Sequence, residues 1–417
     1  MLEILSKMSK LNKGSIFFFL ILYLTLIIGF YYGEDSTGGA YFDYLSQKDI
    51  AKKFSLNFLN TFLTYDDNYH RHSPVLSIYL SIFEKLNLSD SFIRFINLQI
   101  APICSLVFFH ALKIKFKNVN ENYLFIFSII FFLSPTVRSL AIWPDSRLFG
   151  LTLFLLSIYY YLLFEKQKKI KFAILNTFSL AACSYLSPNF SIFSIFFLSN
   201  YLSYYRISRN ILLILLINII LAIPAIYYIF ILDVNFLKIA AIAYNYPLQN
   251  LNIANKILLI STIFFFYFLP FFLIYEKKFF FIKEIFGIKN IFLSIFLCLI
   301  CIYFFSYDKN FYGGGIFFHL SNKFFDNNIV LYLIFFFSIL LIIRISSFSH
   351  YNLLIFTLLI LSNPQLSIFH KYYDPLIWIL IIFFYELKDD KRNIFKPKII
   401  FSFYFFSLIF LVLSLFK

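Results

Sequence analysis

Apolar runs of roughly twenty residues recur along the whole chain, separated by short clusters of charge. Twenty helical residues are about the thickness of a bilayer core, so each such run predicts one crossing. The pattern places spans near 15–32, 92–112, 122–141, 147–164, 172–186, 190–205, 211–230, 257–275, 290–306, 329–345, 350–366, 375–387 and 399–416, about thirteen in all. The exception is the polar stretch 34–91. Within it Ile50, Phe54, Phe58 and Phe62 recur every fourth residue, with Lys52, Lys53, Asn57 and Asn60 between them. That spacing predicts an amphipathic helix lying in the membrane interface. A second is predicted over Pro74–Leu88, which is apolar but short and interrupted by Glu84 and Lys85. The fold class read from the pattern is all-α, a polytopic integral membrane protein with interfacial helices in a long first outer loop.

Composition agrees and removes the soluble alternatives. Of 417 residues 61% are hydrophobic, 23% aromatic and 14% charged, where a soluble domain is nearer half apolar and a quarter charged. The net charge of +15 is dispersed in clusters between apolar runs, which argues against nucleic acid as a partner and for a role in orientation. With Pro74–Leu88 not crossing, Lys7/Lys10/Lys13, Lys113/Lys115/Lys117, Lys166/Lys168/Lys169/Lys171, Arg206/Arg209, the Lys277–Lys289 cluster, Arg344 and the Lys388–Lys398 cluster all share one side. They make up the majority of the 36 basic residues. The expectation is therefore an uncleaved N-terminal anchor, a cytoplasmic N-terminus and a bacterial inner (plasma) membrane. Polar chemistry is then expected on the outer face, in loops 34–91, 231–256 and 307–328. Cys104, Cys183, Cys298 and Cys301 lie inside apolar runs and read as packing residues, and Gly313-Gly314-Gly315 reads as a flexible turn.

Several outer-face groups could carry chemistry. Asp43 sits among aromatics in Gly38-Gly39-Ala40-Tyr41-Phe42-Asp43-Tyr44, an environment that can turn a carboxylate into a useful base. The alternative is an ordinary loop carboxylate, and Glu34 and Asp35 compete for the role. Asp145 follows Trp143-Pro144; there the alternative is a helix-start acid paired with Arg147. Arg138, at membrane depth, needs a partner or an anionic ligand. His70-Arg71-His72-Ser73-Pro74 could hold a phosphate or a metal, or be a solvated basic turn. Phe369-His370-Lys371-Tyr372-Tyr373-Asp374-Pro375 reads as a lipid-phosphate site, against a plain interfacial anchor.

These positions in this order resemble the GT-C membrane glycosyltransferases, which include protein O-mannosyltransferases, aminoarabinose transferases of lipid A and the catalytic subunit of oligosaccharyltransferase. The likeness is one of layout and covers roughly 15–190 and 363–378. It comprises an N-in anchor and a long outer loop with an early acid. The proline-led stretch His72-Ser73-Pro74-Val75-Leu76-Ser77-Ile78-Tyr79 follows, then Arg94 opening the next span, and a second acid after a proline-containing span. The sequence departs from many members in lacking adjacent acids at the first site, Asp43 being followed by Tyr44, and in having no soluble outer domain. The resemblance implies one transmembrane domain over 1–417, with Asp43 as the catalytic carboxylate and Asp145 as its partner. It implies transfer of a sugar from a polyprenyl-phosphate donor to a lipid, glycan or protein acceptor by single displacement. Arg71, His72, Arg138, His370, Lys371 and Tyr372 are the groups expected to meet the substrate and its lipid phosphate. No metal site and no certain cofactor is called for, with a divalent cation left open. The other classes weighed are a polysaccharide polymerase or ligase of the O-antigen type, which usually works from a large late loop, and a transporter or flippase, which often shows repeated halves.

Overall fold

The structure, a computed structural model, describes residues 11–68, 72–232, 252–275, 283–308, 313–363, 365 and 367–415. Among the described residues every regular element is helical. They divide into two compact units, one of Met1–Val234 with Phe395–Lys417 and one of Asn235–Ile394.

The first unit opens with α1 (Lys13–Tyr31), capped by Asn12, whose side chain accepts from the Ser15 N–H. Phe17, Leu24 and Ile28 are exposed while Leu26 and Gly29 are buried, as suits a helix turned mostly toward lipid. Helices form over both stretches of the polar 34–91 segment: α2 (Ala40–Leu56), continued by the short α3 (Phe58–Leu63), and α4 (Pro74–Lys85), which packs on α2. The four-residue apolar stripe is nevertheless cut in two. Asn57 takes an extended backbone, ends α2 and caps α3, so Ile50 and Phe54 are buried while Phe58 is exposed. Ser73 caps α4 and Pro74 stands at its first position, where a missing N–H removes no bond.

Next come α5 (Asp90–Leu98) and α6 (Ile100–Lys115), then α7 (Glu121–Ser128), a 3₁₀ turn over Ile129–Leu133, and α8 (Pro135–Ile142). The run expected to be one span over 122–141 is broken, with a 67° bend between Glu121–Leu133 and Pro135–Ile142. The cause is Pro135, which cannot continue a helical ladder and pushes Ser134 into extended backbone, where its hydroxyl caps α8. The long α9 (Ser146–Gln167) packs against α10 (Ile170–Leu186). Gly150 permits that approach, since a Cβ there would lie 2.8 Å from the Ser187 Cβ. The unit is completed by α11 (Ser194–Tyr205), α12 (Arg209–Ile226) and the C-terminal helix Pro397–Leu415.

The second unit holds α13 (Ile253–Phe268), α14 (Ile288–Tyr303), α15 (Gly315–Phe325), α16 (Ile329–Ser346), α17 (His350–Leu361) and α18 (Leu376–Phe383). Its loop segments gather in two groups. In one, the Asn252 amide donates to Phe304 O and Ser306 Oγ, Lys256 Nζ to Asn363 O, and Gly314 N–H to Ile368 O at 2.7 Å. In the other, Glu284 accepts from Lys388 at 2.6 Å and from Arg344, and these hydrogen bonds hold its carboxyl below the usual carboxylate range. All eight residues of α18 are buried.

Seven helices among the described residues are long and apolar enough to cross a membrane, or eight if the bent pair counts as one span. Ile170–Leu186, Ile288–Tyr303 and His350–Leu361 are apolar but shorter. The protein thus has the character of a multi-pass membrane protein. Two differences from the expected pattern have local causes: the turn at Ser134-Pro135, and α18, whose apolar residues make interior packing.

Candidate functional site

Asp43 and Asp145, 102 positions apart, share one guanidinium. Asp145 is the cap of α9: its Oδ1 accepts from the Arg147 N–H at 2.8 Å. The Arg147 side chain turns back on the same acid, donating from Nε to Oδ1 at 2.8 Å and from Nη2 to Oδ2 at 2.5 Å. That Nη2 also reaches Asp43 Oδ2 at 2.9 Å, and His72 Nε2 lies 3.9 Å from the other oxygen of Asp43. Exposure falls inward: the side chains of Asp43 and His72 are each 16% exposed, Arg147 9% and Asp145 0%. Burial alone would push the Asp145 carboxyl up. The field of Arg147 and its hydrogen bonds reverse this and hold the carboxyl below the usual carboxylate range. The helix-start pair of Asp145 with Arg147 is formed, and the same guanidinium reaches Asp43.

Local structure places each group. Gly38 (φ +72°) makes the turn into α2, and Asp35 closes it by accepting from Thr37 Oγ1 and from the N–H groups of Gly38 and Tyr41. Asp35 is therefore committed to the start of α2. Ser36 donates to Pro135 O at 2.9 Å, and Thr37 N–H to Ser139 Oγ at 3.0 Å, which ties the turn to α8. From the other direction Arg94 stacks 3.6 Å over the Trp143 ring and donates to Ile142 O, while the Asn97 amide donates to the carbonyls of Leu140 and Ala141. Tyr41 meets Trp143 edge-on at 4.7 Å. Tyr65 fixes the approach of His72 by donating to its carbonyl at 2.7 Å, and Ser73 Oγ donates to Tyr185 O.

Arg138 has a protein partner. It is buried and donates to both oxygens of Glu34, to Thr25 O and Oγ1, and to Phe132 O. This corrects the expectation that Arg138 meets the substrate, because its donors are engaged inside the fold. Both oxygens of Glu34 are thereby engaged by Arg138. Gly29 makes room for the pair, since a Cβ there would sit 2.3 Å from Glu34 Oε2 and 2.9 Å from Arg138 Nη2. Arg71 and His70 lie outside the described residues.

The remaining expected residues belong to the second unit. His370 Nδ1 lies 3.1 Å from the Tyr267 hydroxyl, and that hydroxyl is also hydrogen-bonded to buried Asp374. Tyr372 donates to Gln365 Oε1 at 3.0 Å, and Lys371 Nζ stands 5.2 Å over the Phe369 ring. Gly313, Gly314 and Gly315, expected as a flexible turn, instead form a built contact with this loop. All three have positive φ, and a Cβ at Gly313 would lie 2.6 Å from Ile368 O. Asp374 belongs to the run already singled out in the sequence, whereas Tyr267, 107 positions earlier in an apolar span, carries no local signal. Arg147 carried a signal in its spacing from Asp145, but its reach to Asp43 did not.

The four cysteines are buried and unpaired with one another. Among the described residues no three His, Cys, Asp or Glu side chains are placed to hold a metal. Positive charge between the two site carboxylates comes from Arg147. Comparison of the chain with protein-family models, with curated proteins and with solved structures finds no match.

Proposed function

We propose that the protein is a membrane glycosyltransferase that moves a sugar from a polyprenyl-phosphate donor to a hydroxyl of a lipid, glycan or protein acceptor on the outer face. The observation that carries this reading is the graded carboxylate pair, a sealed Asp145 and a partly exposed Asp43 joined through Arg147, with His72 beside the outer acid. Such a pair suits a reaction in which positive charge develops on a sugar ring while a hydroxyl loses a proton.

Arg147 stands 2.9 Å from Asp43, and the carboxylate pair suits electrostatic stabilisation of an oxocarbenium-like transition state. Proton transfer follows as the acceptor oxygen bonds to the anomeric carbon and its hydroxyl acidifies. Asp43 takes that proton, the bond from the anomeric carbon to the phosphate oxygen breaks, and the polyprenyl phosphate leaves with the electron pair. A single displacement inverts the anomeric centre. Asp145 orients Arg147, and through it Asp43. His72 and Arg71 are the cations proposed for the departing phosphate; His370, Lys371 and Tyr372 remain a separate lipid-phosphate proposal for the second unit. A polymerase or ligase would use the same donor chemistry but favour a large late loop.

The test is sugar transfer in right-side-out and inverted vesicles supplied with polyprenyl-phosphate sugars, comparing wild type with Asp43→Asn. The expected result is transfer on the outer face that falls ~10²–10⁴-fold in the variant at equal protein level. Retained activity in Asp43→Asn would remove Asp43 as the base.

A further inference from the structure

One turn along α2 from Asp43, and so on the same side of that helix, stands Gln47. Its side chain is fully buried, and among the described residues neither its amide nitrogen nor its amide oxygen has a hydrogen-bond partner. Ser77, on the helix α4 that packs against α2, is also fully buried with an unpartnered hydroxyl. Buried polar groups in folded proteins are nearly always satisfied, and leaving one unsatisfied is costly. Three polar atoms on two helices that pack together share that state, and the two of Gln47 lie on the side of α2 that carries the acid. An apolar pair of the same shape would pack without penalty, so packing alone does not account for the choice of Gln and Ser.

We propose that Gln47 and Ser77 are the specificity-determining groups of the site, reading a hydroxyl of the sugar ring whose anomeric carbon stands at Asp43. The amide offers two donors and one acceptor, and the serine hydroxyl offers one donor and two acceptors, a set matched to a ring hydroxyl that both donates and accepts. A site of this kind rejects an analogue lacking the hydroxyl, because its own polar groups are then left unpaired. This inference rests on the glycosyl-transfer reading and names the part of the site that selects the sugar.

The experiment uses the full-length protein in lipid nanodiscs, as wild type, Gln47→Leu and Ser77→Ala. Two quantities are measured. The first is the melting temperature without ligand. The second is transfer from undecaprenyl-phosphate-linked pentoses and hexoses and from their monodeoxy counterparts. Gln47→Leu is expected to melt at or above wild type, since it removes unsatisfied buried atoms. It is also expected to raise the KM for the preferred donor tenfold or more and to bring the ratio of preferred to monodeoxy donor close to one. Ser77→Ala is expected to shift the same ratio in the same direction. A lower melting temperature for Gln47→Leu would show that the amide holds the fold together and would overturn the proposal whatever the transfer data. Unchanged KM and unchanged donor ratio in an active Gln47→Leu enzyme would overturn it while leaving glycosyl transfer standing. Wild type that transfers none of the panel would overturn the functional reading, and this proposal with it.

Discussion

At the scale of single residues, the site depends on where charge is hidden. Asp145 has no exposed surface and its compensation comes from Arg147. Removing one partner leaves a buried charge uncompensated, whereas removing both need not. Arg147→Met should therefore cost ~3–5 kcal/mol, and the double variant Arg147→Met/Asp145→Leu should recover much of that loss without recovering activity. Denaturant unfolding in mild detergent is the measurement. The pH dependence has a definite sign. The Asp145 carboxyl is held below its unfolded value of ~3.9, so its contribution is fully present above that value and is lost as pH falls through the folded one. Wild type should lose stability on acidification over that window, and the double variant should lose less.

At the scale of elements, the chain shows how far a linear pattern can be read. The helices α2 and α4, the proline-led start of α4 and the acids beside helix starts at 43 and 145 were legible because each rests on local spacing: a four-residue stripe, a Ser-Pro cap, a carboxylate beside a helix start. The bend at Ser134-Pro135 was written in the proline but masked by the apolar run on both sides of it. The Glu34–Arg138 pair was illegible because it joins residues 104 positions apart through a space that only the absence of a side chain at Gly29 provides. That makes Gly29→Ala a sharp probe. Helix propensity alone predicts that alanine stabilises α1 by ~1 kcal/mol. The added methyl would instead strike a carboxylate held by Arg138, so overpacking should reverse the sign and destabilise by about 1–3 kcal/mol. Gly14, where a Cβ meets nothing nearer than 3.8 Å, is the control: Gly14→Ala should follow propensity. Paired melting curves decide it.

At the scale of the whole molecule, the orientation expected from charge can be set against which segments of the second unit meet. In the second unit Glu284, Arg344 and Lys388 come together from three separate segments, each assigned to the cytoplasm by the positive-inside rule. The other group joins Asn252, Ser306, Gly314, Asn363 and Ile368, all in or beside segments assigned to the outer face. These are the two ends that crossing helices require, and α16 is long and apolar enough to connect them. The four native cysteines are buried, so single introduced cysteines should report against a low background. Lys52→Cys on α2 and Asn327→Cys before α16 stand at exposed positions, as do Lys117→Cys after α6 and His350→Cys after α16. A membrane-impermeant maleimide added to intact spheroplasts should label the first two, and the last two only after permeabilisation. The 327/350 pair tests whether α16 crosses, and the 52/117 pair tests which face carries Asp43. Labelling of Lys117→Cys in intact spheroplasts, with Lys52→Cys protected, would turn the molecule over. The carboxylate pair would then face the cytoplasm, where nucleotide sugars are available and a polyprenyl-phosphate donor loses its rationale.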